Sequence, residues 1–187
     1  MLAMSRQRGV SLIEVLVAIV IFSVAALGVA LMQLKGAQFT KQSGVRTVAV
    51  LQARSIADAM RANPAGVYGV PDTSGIKALN GDVSGSYYLY NGTKPPSTAD
   101  CSDSSNIACT QAKRDLQAWL QQLQNGTSAP VSNGTTTPAL ATIQVSTDSS
   151  GTLAVAVSWS GLIPNQSGTP SDETYQFDFQ PTLQLQP

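Results

Sequence analysis

Val10 to Leu34 reads VSLIEVLVAIVIFSVAALGVALMQL, 25 residues carrying a single charge, Glu14. A hydrocarbon core about 30 Å thick takes roughly 20 apolar residues of helix, so this segment is long enough to span. Residues 1–9, MLAMSRQRG, precede it and hold Arg6 and Arg8. Cations beside a span stay cytoplasmic, which puts the bulk of the chain across the bilayer, in an oxidising compartment. A secretory signal peptide would have an apolar run of about 7–15 residues ending in a small-x-small site. The run here is longer, and no such site precedes Lys35. A plain single-pass anchor fits the length but leaves Glu14 unexplained. An acid at the bilayer centre costs about 2.5–3.5 kcal/mol on insertion scales, so an intramembrane carboxylate marks a functional residue by default.

Composition narrows the function classes. Charged residues are 12% of the 187-residue chain, and Lys+Arg and Asp+Glu number 11 each. After Gly9 the balance is 9 basic to 11 acidic, with no basic run and few aromatics, so no nucleic-acid partner is expected. The chain has no histidine. That removes Ser-His-Asp and Cys-His catalysis and the commonest metal ligand. Asp100 and Asp103 sit in a polar loop, and Asp172 with Glu173 reads as solvated surface, so no catalytic residue, cofactor site or metal site is assigned.

Beyond Leu34 the helical pattern continues. Residues 35–63 read KGAQFTKQSGVRTVAVLQARSIADAMRAN. Val45, Val48, Ala49, Ala53, Ile56, Ala57 and Met60 recur at three- and four-residue spacing, with Lys41, Arg46, Arg54, Asp58 and Arg61 largely off that stripe. Gly36 and Gly44 weaken the helix by roughly 1 kcal/mol each against Ala. Pro64 ends it, because the residue before a proline is pushed out of the α region. The organisation is thus a leader at 1–9, an apolar helix at 10–34, its amphipathic extension at 35–63, and an exported domain at 64–187. The stripe is short and Ala-rich without sustained flanking charges, so it fits a sheet better than a coiled coil.

The exported domain alternates loops and short elements. Tyr87 to Tyr90 reads as a short strand followed by a turn at Asn91-Gly92. Cys101 and Cys109 form an even pair at short spacing in an exported chain, which reads as a disulfide. Two thiols without histidine cannot complete a zinc site. Thr110 to Gln124 places Leu116, Trp119, Leu120 and Leu123 on one helical face, with Asn125-Gly126 as its stop. Leu140–Val145 and Leu153–Trp159 alternate apolar and polar around a turn at Ser149-Ser150-Gly151, a β-hairpin. Tyr175, Phe177 and Phe179 mark a third strand. The class is α+β, one long N-terminal helix and a small antiparallel sheet with a short extra helix. Residues 91–106, 124–138 and 164–173 read as loops. Sequons at Asn91, Asn125, Asn133 and Asn165 are attributed to the Ser/Thr-rich composition.

The run Arg8-Gly9-Val10-Ser11-Leu12-Ile13-Glu14-Val15-Leu16-Val17-Ala18 resembles the class III signal of type IV prepilins and pseudopilins. The resemblance implies the type IV pilin fold. It also implies cleavage between Gly9 and Val10 by a prepilin peptidase, N-methylation of Val10, and a role for Glu14 in assembly. Val10 departs from the Phe usual at that position. Ser55 to Pro64, SIADAMRANP, is similar to a segment of PilV-type minor pilins, with Ala59 where a basic residue is expected. Asp115, Leu116 and Trp119 resemble a second pattern of the same group. The implied partners are other major and minor pilins, the inner-membrane assembly platform and the lipid bilayer. The implied location is the inner membrane with the domain periplasmic, then the pilus. A minor pseudopilin of type II secretion is the alternative.

Overall fold

The computed structural model describes residues 11–103, 105–127, 140–148, 151–164 and 170–181. They fall into two compact units, one up to Thr40 and one from Lys41 onward. Helix α1, Leu12–Ala62, is common to both. It contains no proline, and Gly28, Gly36 and Gly44 lie in it with open space around them, so the expected weak points leave it unbroken. It stops where the sequence requires. Asn63, with φ −128°, leaves the helical region ahead of Pro64. Asn63 then caps α2, Pro64–Tyr68, its Oδ1 accepting from the Gly66 N–H at 3.1 Å. Gly69, at φ 69°, ends α2 in the left-handed region and lies so close to the Gly85 carbonyl that no Cβ would fit.

In the second unit the predicted stripe of α1 is buried from Ala49 to Met60, and Val45 and Val48 at its start are half-buried. Ala49, Ala53, Ile56, Ala57 and Met60 are all inaccessible, whereas Lys41, Arg46, Arg54, Asp58 and Arg61 are exposed. The alanines let neighbouring elements approach closely. Helix α3, Ile107–Gly126, contributes Leu116, Trp119, Leu120 and Leu123 to the same core. The helix outruns its predicted stop by two residues. Gly126 is the last helical residue, and a Cβ there would come within 2.6 Å of Val48 Cγ1, so the glycine provides close packing rather than a left-handed cap. Thr127 ends α3, its N–H and Oγ1 both donating to the Leu123 carbonyl.

The sheet has order β1-β2-β3, antiparallel throughout, with β1 Ala141–Val145, β2 Leu153–Pro164 and β3 Pro170–Phe179. Ile143, Leu153, Val155, Val157, Trp159 and Phe179 face the core, and Gln144, Thr174, Gln176 and Asp178 face solvent. This alternation is what one covered face and one wet face demand. β3 starts earlier than predicted, taking in part of the Ser/Pro-rich stretch read as loop. Tyr87–Tyr90 is not a strand. Only Tyr90 bridges, to Ile143, because the Tyr87 N–H is taken by the Gly66 carbonyl and the Tyr88 N–H by Ser86 Oγ. The turn that follows is present, with Gly92 at φ 82° and Asn91 Oδ1 accepting from Thr93. The residues at 149–150, and the sequons at Asn133 and Asn165, lie outside the described residues.

Cys101 and Cys109 are bonded, Cα to Cα 5.9 Å, joining the loop before α3 to its first turn. A loop this short contributes about 2.6 kcal/mol in the chain-entropy account. Cys101→Ser with Cys109→Ser should lower the free energy of unfolding by that order, and with it the denaturant midpoint, without making the slope shallower. A midpoint within error of the parent chain would show that the loop is already ordered by Asn106, which caps α3 through the Cys109 N–H at 2.9 Å.

Candidate functional site

The N-terminal unit offers apolar surface and one acid. Leu12, Ile13, Leu16, Val20, Phe22 and Leu27 are each more than half exposed, as are most residues to Leu34. α1 is long and apolar enough here to cross a membrane. A polypeptide does not leave such a surface in water. The backbone is satisfied internally, which hydrocarbon requires, and Ser23 returns its hydroxyl to the Ile19 carbonyl at 2.7 Å. Glu14 lies in the first turn of α1, where the helix dipole favours an anion. Ala18 and Phe22 continue its row at intervals of four, with Val15 and Ile19 alongside. Among the described residues of this apolar stretch Glu14 is the sole charge. Its carboxylate has no hydrogen-bond or ion-pair partner among the described residues and is exposed. Gly9 and Val10 lie outside the described residues.

In the second unit, the segments singled out at Ser55–Pro64 and Asp115–Trp119 meet. Tyr88, fully buried, donates its hydroxyl to Asp115 Oδ2 at 2.7 Å and accepts from Asn63 Nδ2 at 3.3 Å. Asn63 Nδ2 also reaches the Ala108 carbonyl at 2.9 Å. Trp119 Nε1 donates to the Gln52 carbonyl at 2.8 Å. These residues tie the end of α1 to α3 through one tyrosine. Tyr88, Ala108 and Trp119 are buried and Gln52, Asn63 and Asp115 half-buried, so these contacts serve packing. Sequence reading missed Tyr88 because its partners lie about 25 residues away on either side.

Burial, and then the hydrogen bond to Asp115, push the Tyr88 hydroxyl above the ordinary tyrosine range; burial does the same at Tyr68 and Tyr90. A raised folded-state value means that this stability is complete below the unfolded value of about 10 and is lost as pH climbs beyond it. Lys113, held low by burial, works in the opposite direction over the same range. The expected net result is a falling denaturant midpoint above about pH 10, flattened in Tyr88→Phe. An equally steep fall in that variant would assign the effect elsewhere.

No group of three or more His, Cys, Asp or Glu side chains among the described residues is placed to hold a metal ion. Residues 4–30 match the family described as the prokaryotic N-terminal methylation motif. No curated protein and no solved structure is matched. The match supports a type IV pilin-like class III signal, and with it a pilin or pseudopilin, a structural subunit processed by prepilin peptidase and assembled with other pilins. The signal and the apolar helix fit anchoring in the inner membrane.

Proposed function

We propose that this chain is a minor subunit of a type IV pilus, inserted in the inner membrane as a prepilin, cut between Gly9 and Val10, and methylated on Val10. It then joins the filament or primes its assembly. The observation that carries this reading is the pairing of a bare apolar helix with one acid, Glu14, five residues past Gly9. Cleavage frees an ammonium on Val10. In a bundle of such helices, the carboxylate of one subunit can meet the ammonium of the next. A buried charge without a partner is strongly unfavourable, so this pairing would set the axial register. The similarity of Ser55–Pro64 and Asp115–Trp119 to PilV-type chains favours the pilus over a type II secretion filament. In both settings the chain acts as a structural and interaction protein rather than an enzyme, and its partners are other pilins and the inner-membrane assembly platform.

The test is mass spectrometry of material sheared from cells, with crosslinking of the pilin set in strains with and without prepilin peptidase. A chain beginning at a methylated Val10 and crosslinked to pilins supports the proposal. The first nine residues still attached in sheared filaments would defeat it. Crosslinks to secretion components instead would transfer the chain to the alternative.

A further inference from the structure

Among the described residues, β1 leaves part of its outer edge unpaired. Its even-numbered positions bond to β2, as the Ser158 N–H to the Leu140 carbonyl and the Ser146 N–H to the Thr152 carbonyl do, both at 2.9 Å. Ala141, Ile143 and Val145 therefore turn their N–H and C=O groups away from β2. Ile143 exchanges both with Tyr90, at 2.8 and 2.9 Å. Beside this bridge lies a groove of about 540 Å³, walled by Tyr90, Pro96, Ile143 and Val145 and mainly apolar.

Three charged side chains line the same groove, Lys94, Asp100 and Lys113. Lys94 and Asp100 pair at 2.7 Å. Lys113, half-buried on α3, donates to the Tyr87 carbonyl at 2.8 Å. It has no carboxylate within ion-pair distance among the described residues. An ammonium carries three donors, and a partly desolvated cation with no carboxylate in direct contact is unfavourable. Burial holds Lys113 below the ordinary lysine range; Asp100 opposes that, and Lys94 reinforces it. The groove thus combines apolar walls, a strand edge open among the described residues, and a net charge of +1 from Lys94, Lys113 and Asp100.

We propose that this groove binds an extended segment of another protein chain, whose backbone pairs beside Val145 and whose Asp or Glu side chain reaches Lys113. Charge complementarity selects a carboxylate. The open edge and the apolar walls select a strand rather than a small anion, which would neutralise Lys113 and leave the rest uncovered. The inference does not rest on the filament role, because it uses only the exported domain.

The test titrates the full chain in detergent micelles with the end-blocked peptide Thr-Val-Glu-Val-Thr-Val and its Gln counterpart at low salt. The Glu peptide should bind at least about tenfold more tightly. Lys113→Gln should erase that preference by weakening binding of the Glu peptide. Should that variant fail to fold, Lys94→Ala, which brings the groove's net charge to zero, should shrink the preference. Equal binding of the two peptides, no binding of either, or full displacement by acetate would each overturn the proposal, the last by pointing to a free-anion site.

Discussion

Glu14→Gln should enter the membrane fraction at the parent level, be cut after Gly9 normally, and fall at least about tenfold in sheared filaments. Insertion should not suffer, because removing an acid from an apolar span lowers the transfer cost by up to about 2.5–3.5 kcal/mol. Cleavage should not suffer if the peptidase reads the Gly9-Val10 bond. Assembly should, because the amide keeps the shape but cannot neutralise an ammonium. A neighbouring Val10 amine would then be buried alone, and breaking such a pair by removing one partner costs about 3–5 kcal/mol. Glu14→Asp keeps the charge on a shorter arm and should recover part of the incorporation. Equal filament content in parent and Gln variant, at matched membrane levels, would remove the ion pair from the proposal. A fall in membrane level alone would make Glu14 an insertion residue.

The helices and the hairpin were legible because their signals are local. The α1 stripe from Ala49 to Met60 and the α3 face from Leu116 to Leu123 each repeat within a few turns, and both are buried as read. β1 and β2 alternate cleanly and pair in the simple register that a hairpin imposes. Tyr87–Tyr90 failed for a physical reason. Aromatic side chains mark a half-buried surface, not a strand as such, and here the Gly66 carbonyl and Ser86 Oγ capture the N–H groups a strand would use. The same holds for Gly126, whose value lies in its distance to Val48 on another helix. Glu14 was legible as an anomaly, one charge in an apolar run. The Lys113 groove was not, since it is assembled from segments near Leu89, Pro96, α3 and β1 that share no spacing rule.

The second large effect concerns the joint between α1 and α3. Trp119→Ala should destabilise the folded chain by about 3–5 kcal/mol, a large share of the margin of an ordinary domain, by denaturant titration in micelles. Trp119 is 3% exposed and packs in the core that α1, α3 and the sheet share. Truncation removes its buried area and leaves a cavity between elements too constrained to close. Trp119→Phe separates packing from hydrogen bonding. It keeps a ring in place but withdraws the Nε1 donor from the Gln52 carbonyl, which retains a bond from Ser55 Oγ at 2.9 Å. The expected loss is therefore smaller, about 1 kcal/mol beyond the reduced area. Trp159 provides the contrast. It is equally buried, but its Nε1 has no partner among the described residues, so Trp159→Phe removes a donor unsatisfied there along with some area. Trp159→Phe should thus cost less than Trp119→Phe. The reverse order would mean that the Gln52 bond adds nothing, and that α1 is held to α3 by its alanine-lined packing alone.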